Sequence, residues 1–310
     1  MLFRSLPNNY VYLQPEFSML DEQYALFGEV NWKFTDKFKV TAGLRYSNMK
    51  YSGLVHEIEQ GLFAPPGSPN GVFEVQTPAS GSASPVTPRV VLNYQADRDT
   101  LYYASAAKGF RPGGINSQLP QNCFPEGVDA AAAAKPFSDD SLWQYEVGLK
   151  TTALDRRLAL SAAVYEIKWK NIQQFVYLAC GLGFNYNLGE VTAQGAELEL
   201  NWKANDNLTL GMNAAYTSAK FETAVIPFSQ VPTYQLVAPG NHLPASPWNL
   251  QFTGEYVWRD RARKPYVRVD YQYSAQQTTL VPYQDPANIP NADPTLPGDR
   301  KSTRLNSSHT

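Results

Sequence analysis

No stretch of the 310 residues approaches the 18 or so consecutive apolar positions that a membrane helix needs, and mean hydropathy is −0.37. That excludes a helical membrane protein. It leaves strands open, because a membrane strand buries only alternate residues in lipid and escapes a hydropathy scan. Charged residues are few, 17% of the chain, and nearly balanced at −2, so no basic face is offered to nucleic acid. Histidine (three) and cysteine (two) are scarce, and no C-x-x-C, H-E-x-x-H, G-x-S-x-G or P-loop occurs. Redox pairs, zinc sites, activated nucleophiles and phosphate cradles are therefore not signalled. No catalytic residue, metal site or cofactor is expected.

What the chain does have is aromatic residues, 13% of the total with 19 tyrosines, and a regular beat of turns. Five short polar turns fall at residues 35–37, 96–99, 154–157, 204–207 and 259–264. Between them lie long stretches rich in Gly, Pro, Ser and Asn, at about 52–84, 110–140, 171–187, 221–245 and 278–298. Each turn is flanked by two segments of strand length, which predicts ten strands in five hairpins. Short turns then gather at one end and long loops at the other, an asymmetry typical of bacterial outer-membrane barrels.

Alternation is the sharper test. Residues 24–34 place Leu26, Val30, Trp32 and Phe34 opposite Glu29, Asn31 and Lys33. Residues 196–202 set Ala196, Leu198, Leu200 and Trp202 against Glu197, Glu199 and Asn201. Segments 38–46, 86–94, 143–149, 208–217, 248–258 and 267–273 behave alike, and in all eight no charge falls on the apolar side. A Lys or Arg facing lipid at the midplane costs roughly 2–4 kcal/mol, so lipid contact would enforce that absence. A soluble sheet alternates too, with its apolar face inward. Aromatic placement favours the membrane. Trp32, Phe34, Phe38, Tyr94, Trp202, Trp258 and Tyr266 cluster beside the short turns, while Tyr46, Tyr216, Phe221, Trp248, Tyr271 and Tyr273 lie toward the long loops. Two such bands match interfacial girdles. Two strands resist the pattern. Residues 101–108 are small or aromatic on both faces, and 158–169 changes parity, which predicts either a bulge near Val164 or departure from the bilayer into an extended hairpin.

Residues 101–116, LYYASAAKGFRPGGIN, run from strand into a glycine-broken loop. Tyr103, Lys108, Gly109, Phe110, Arg111, Pro112, Gly113, Gly114 and Asn116 closely resemble the Y-x-x-x-x-K-G-F-R-P-G-G-x-N signature of TonB-dependent outer-membrane receptors. Residues 23–45, QYALFGEVNWKFTDKFKVTAGLR, and 194–202, QGAELELNW, are similar to two further stretches of the same family, in family order. The resemblance implies an all-β fold: an antiparallel up-and-down transmembrane β-barrel, partial here, with short periplasmic turns and long extracellular loops. It also implies active, TonB-energised uptake of a nutrient such as an iron-siderophore across the bacterial cell outer membrane. The partners it implies are outer-membrane lipid, a small-molecule nutrient ligand and the TonB-ExbB-ExbD energy-coupling complex, reached through a plug domain that this stretch does not contain.

Residues 1–298 are thus expected to be part of a receptor barrel, without plug, coupling box or closing strand. An exported protein needs a signal peptide, and residues 1–16 have no apolar core of that kind, so truncation is expected. Residues 299–310, DRKSTRLNSSHT, are polar and unpatterned and are expected to be a non-native tail or sequencing artefact. Two other readings stay open on the residues alone. One is a complete ten-stranded outer-membrane enzyme, with His56 and His242 as its available rim histidines. The other is a soluble, secreted β-rich binding module.

Several loop residues are candidates for binding. The family likeness puts Arg111 and Asn116 where a strand opens into an extracellular loop, to meet ligand or plug; a backbone contact within the hairpin serves Arg111 equally well. Tyr177, Phe184 and Tyr186 share a loop with Cys180 and can stack on flat or sugar-like ligands, or sit at the membrane interface. Cys123 and Cys180 fall in loops at one end, where an oxidising compartment either joins them as a disulfide or leaves two thiols. Isolated His56 and His242 read as surface residues, and Glu197 with Glu199 as a hydrated lumen wall.

Overall fold

The computed structural model describes residues 13–60, 72–119, 121–124, 127–129, 135–178, 183–223, 237–276 and 302–307. The stretches 61–71, 224–236 and 278–298 of the expected loops, with Cys180 and His309, lie outside them. Twelve described strands form one antiparallel sheet. They are β1 (Leu13–Lys33), β2 (Phe38–Gln60), β3 (Val72–Ala83), β4 (Val86–Gln95), β5 (Thr100–Arg111), β6 (Asp140–Ala153), β7 (Leu158–Lys170), β10 (Glu190–Lys203), β11 (Leu208–Phe221), β12 (Trp248–Val257), β13 (Tyr266–Ser274) and β14 (Ser302–Ser307). The hairpin of β8 (Gln173–Tyr177) and β9 (Gly183–Asn187) forms a second, small sheet. Consecutive strands pair throughout, apart from β3, which extends β4 along the upper half of β2, and the β8–β9 insertion. The order ends at β1 and β14 without closing, so the sheet is an open, partial barrel.

The ten expected strands are present, with three differences. The first long loop is largely strand: β2 runs on to Gln60 and β3 pairs with it, so His56 lies in a strand beside Glu16, 3.7 Å away, and not in a loop. The break between β3 and β4 falls at Ser84 and Pro85, where proline has no N–H for the ladder. The segment 171–187, read as loop, holds β8 and β9. Finally, β14 lies within the segment set aside as non-native, yet pairs with β13. An open edge offers unpaired N–H and C=O groups to any extended chain, so pairing there is blind to sequence.

Local chemistry closes the short turns. Thr35 Oγ1 accepts from the amides of Lys37 (3.2 Å) and Phe38 (3.0 Å), and Asn205 Oδ1 from those of Asn207 (2.8 Å) and Leu208 (2.9 Å). Each turn is tied to its neighbour by one main-chain bond: Gln95 to Lys37, Thr152 to Asp99, Lys203 to Arg157 and Val257 to Asn207.

The sheet is one layer thick, and its apolar side is bare. Leu26 is 77% exposed, Val30 67%, Val147 59% and Val164 58%. Among the described residues nothing packs over them. On this side Trp32, Phe34, Phe38, Tyr94 and Tyr102 form an unbroken run of rings beside the short turns, at centroid distances of 5.6, 5.5, 4.6 and 6.3 Å. Toward the long loops, Trp143 meets Tyr145 and Tyr216 meets Trp248. Phe221 does not join this second band. It points to the other side and is buried among loop residues, because the outward parity of β11 runs through even numbers. In β5, Tyr102 belongs to the outer run, while Tyr103 faces inward and donates to Glu146 (2.6 Å).

No bulge interrupts β7. Its register holds from Leu158↔Ala153 to Lys170↔Ser141 against β6, and from Leu158↔Trp202 to Lys170↔Glu190 against β10. The parity change is a change of surroundings. Leu158, Leu160, Ala162 and Val164 lie on the bare side, followed on that same side by Glu166, Lys168 and Lys170. Inward, Tyr165 gives way to Ile167 and Trp169, which pack against a buried cluster formed by the loops. The strand continues past Val164 in unbroken step with both neighbours.

Candidate functional site: a loop platform over a polar wall

The signature stretch builds this cluster from the backbone upward. After Arg111, the chain must pass within van der Waals distance of residues 137–139. A Cβ on Gly113 would collide with the Phe137 carbonyl, and one on Gly114 with the Phe137 ring. At Gly113 the obstacle is backbone, so only glycine fits there, whereas a side chain at Gly114 would require the Phe137 ring to move. The approach is fixed by paired main-chain bonds between Gly114 and Phe137 (3.1 and 3.0 Å).

Arg111 and Asp140 stand opposite one another where β5 and β6 end. Arg111 Nε donates to both carboxylate oxygens (3.2 and 3.0 Å), and Nη2 donates to the same carboxylate and to Gln173 O (3.1 Å). The guanidinium lies 4.7 Å from the centroid of the Trp169 ring. Asp140 is 2% exposed and also accepts from the Gln173 amide (3.0 Å). Gln173 in turn donates through Nε2 to Pro112 O (2.9 Å) and Ser138 O (3.0 Å). Three segments, after β5, before β6 and after β7, are knotted at one carboxylate. A buried anion is tolerable only when paired and fully hydrogen-bonded, and Asp140 is both.

Asn116 makes a second knot. Buried, it donates to Lys135 O (2.7 Å) and Asn185 O (2.8 Å) and accepts from the Asn185 amide (2.8 Å). Asn187 similarly joins Ser138 and Asn171. Beneath these bonds Leu119, Phe124, Ile172, Val176, Phe184 and Leu188 form a closed apolar core with Val191, Ala219 and Phe221 of the wall. Phe184 is 1% exposed and meets Phe124 and Tyr186 ring to ring.

Below the platform the inner wall is polar. Tyr103, Lys150, Glu197, Glu199, Asn213 and Gln251 line a hollow of about 420 Å³ open to the barrel interior. The two glutamates, which strand spacing put on one side, do line this polar hollow together.

The sequence-derived candidates divide by position. Arg111 keeps 45% of its side chain accessible, and Tyr186 is half-buried. Asn116 and Phe184 are enclosed in the platform. Tyr177 ends β8, and its side chain lies outside the described part. Cys123 is buried in the platform core as a disulfide cysteine, its exposure 4%. Asp140, Trp169, Gln173 and Asn187 escaped sequence reasoning. The signal that could have found Asp140 was Arg111 itself: it ends β5, and the β5–β6 register sets Asp140, the buried member of the pair, directly across from it.

A single layer whose apolar side is uncovered and girdled, with its charge turned inward below Val164, fits a lipid-facing wall. The sequence profile of the TonB dependent receptor-like β-barrel family matches residues 6–298. The chain belongs to that family. Among curated relatives, the metal-pseudopaline receptor CntO of Pseudomonas aeruginosa is 25% identical over 188 residues, which is 61% of this chain and 23% of that protein. The pesticin receptor of Yersinia enterocolitica is 27% identical over 183 residues, 59% of this chain and 24% of the relative. The crystal structure of the ferric yersiniabactin uptake receptor FyuA from Yersinia pestis superposes with a TM-score of 0.62 at 21% identity, covering 89% of this chain and 37% of that one. The chain thus spans about a quarter of the length of the curated relatives it matches. It is part of an outer-membrane receptor barrel and not an enzyme, which removes both alternative readings of the sequence.

Proposed function

We propose that the intact receptor captures a small metal chelate, an iron-siderophore or a related metal complex, at the loop platform and imports it with force supplied by TonB-ExbB-ExbD through a plug domain. The reading rests on family membership and on a relative whose own name pairs a metal with pseudopaline. The structural observation that supports it most is the platform: three loop segments locked together over a polar, hydrated wall. Arg111 and Tyr186 keep surface for ligand, Asn116 and Phe184 hold the loops that present them, and Tyr177 adds a further aromatic contact. Cys123 and Cys180 join in a disulfide that ties two of these loops. Residues 299–310 are foreign to the receptor, consistent with a profile match that reaches residue 298.

The test is uptake by cells carrying the full-length receptor in a background stripped of other chelate receptors. Labelled ferric, nickel and zinc chelates are supplied to otherwise identical strains with and without TonB. Accumulation of at least one chelate only when TonB is present is the expected result. Equal accumulation in both strains, or none with any chelate, sinks the proposal. Arg111→Ala should weaken chelate binding to whole cells about tenfold, the worth of one charge-assisted hydrogen bond.

A further inference from the structure

Inside the barrel, cations line one side of the bore from the platform down to the short turns. Following main-chain register, Phe27 of β1 stands beside Arg45 of β2. Two residues nearer the turns, Glu29, Gly43, Arg89 of β4 and Ala107 of β5 stand side by side. Four residues further, the row is Lys33, Lys39, Asn93 and Tyr103. Tyr103 lines the polar hollow, so the residues of these rows all face inward. Arg111 ends β5, four residues above Ala107. From Arg45 to Lys39 the strand covers about 20 Å. Arg111, Arg45, Arg89, Lys39 and Lys33 thus form a descending ladder on four adjacent strands.

Below Arg111 the ladder is left uncompensated. The inward positions of β1, β2, β4 and β5 between Arg111 and the turns hold a single carboxylate, Glu29, which accepts from Asn31 (3.0 Å). Arg45, Arg89, Lys33 and Lys39 make no ion pair among the described residues, and the first three are exposed. Arg45 is steadied without losing its charge: its Nε donates to Ser47 Oγ (3.1 Å), and its guanidinium lies 5.9 Å from the centroid of the Phe27 ring. The neighbouring strands carry the opposite sign. On β6, β7 and β10 below Asp140, Glu146, Glu197 and Glu199 face inward against Lys150 and Lys203, and Lys203 is held by Asp206 (3.0 Å). Charge in the bore is therefore sorted by strand.

We propose that this ladder is the path by which an anionic metal chelate leaves Arg111 and crosses the bore, each cation in turn pairing with carboxylate or phenolate oxygens of the chelate. The inference rests on the chelate-import reading above and narrows it to cargo of net negative charge. Two features carry it. The ladder begins at the platform cation and continues in one sign to the other end, as a row of sites that hands an anion along must. Its lower members stand at successive depths without carboxylates of their own, so each attracts an anion and none is already satisfied. A row that only fixed a permanent protein partner would need a compensating charge at every buried step.

The test uses cells carrying the full-length receptor, with and without TonB, and initial uptake of four radiolabelled probes. Three are anionic: ferric dicitrate, a ferric tricatecholate and a nickel aminocarboxylate; the fourth is a neutral ferric trihydroxamate. TonB-dependent uptake should be confined to anionic chelates. R45Q/R89Q should leave binding to chilled cells unchanged and slow uptake about tenfold, the worth of a charge-assisted contact. R45K/R89K, which keeps the charge, should restore the rate. K108Q/K220Q removes equal charge from the outer face and should change neither binding nor uptake. Should R45Q/R89Q fail to reach the membrane, Lys39→Gln alone should slow uptake about threefold. Import of the neutral chelate as fast as, or in place of, the anionic ones would overturn the ladder while import itself stands. So would an equal loss of binding and uptake in R45Q/R89Q, or no loss of either. TonB-independent entry of vancomycin in that variant would make the two arginines anchors of the plug and overturn the ladder as well. Absence of import with every chelate removes the import reading, and the ladder with it.

Discussion

Below Val164, strands β7, β10 and β11 keep leucine and alanine outside and glutamate, asparagine and threonine inside; above it the same strands reverse the arrangement. Glu166, Lys168 and Lys220 face out, while Ile167, Trp169, Val191 and Phe221 face in. The ladder does not notice, since register is constant through both regions. Period-two patterning therefore reports only that two sides differ. Which side is dry is set by what covers it, hydrocarbon in the lower region and folded loops in the upper.

The sharpest separation of the two regions is expected from Phe184→Ala. Emptying the largest fully buried side chain of the platform should cost about 3–5 kcal/mol. Amide hydrogen exchange should speed up across 172–188 and stay unchanged in the lower halves of β7 and β10. Equal acceleration in both would show that the regions are one cooperative unit. Next in size, Val164→Arg should destabilise folding into lipid vesicles by about 2–4 kcal/mol, whereas Glu166→Arg, two residues further out on the same side, should cost about 0–1 kcal/mol. Similar costs would mean that the inversion does not mark the membrane boundary.

Within the platform, Asp140→Asn keeps the shape and removes the charge, and should cost about 1.5–3 kcal/mol, read as faster exchange of the Gln173 amide. The smallest effect belongs to the short-turn end, where Lys203, by hydrogen bond and charge, and then Arg157 hold the Asp206 carboxyl below the usual range. A depressed carboxyl stabilises above its unfolded pKa, and that contribution fades as pH falls through the folded one. Asp206→Asn should therefore shrink the difference in stability between neutral and acid pH slightly, as followed by acid titration of unfolding, and Lys203→Gln should do the same. Full exposure keeps the effect small.

The membrane region was legible because lipid punishes exceptions. With charge barred from one side, as at Leu198, Leu200 and Trp202, alternation stays clean enough to count strands, and the turns at 35–37 and 204–207 advertise themselves through Thr35 and Asn205. The platform obeys no such period. Phe124 and Val128 come from one loop, Ile172 and Phe184 from another, and the two pairs meet only in space, so no one-dimensional pattern joins them. Strand lengths were likewise hidden, because β2 and β3 run beyond the bilayer, where either face can be polar. The misplacement of Phe221 shares that cause: ring position along the chain was right for a girdle, but parity turned it inward.

Because pairing stays in step from Leu158 to Lys170, strands like β7 can lengthen only by pairs of residues. Two extra positions on each partner would raise the platform by up to about 7 Å with every side chain still on its proper side. One extra position would swap inside for outside from there on, putting Trp169 into water and Lys168 into the packed interior. The height at which such a receptor meets its cargo can thus drift in course-by-course increments, as in brickwork, while the portion set in the membrane stays untouched.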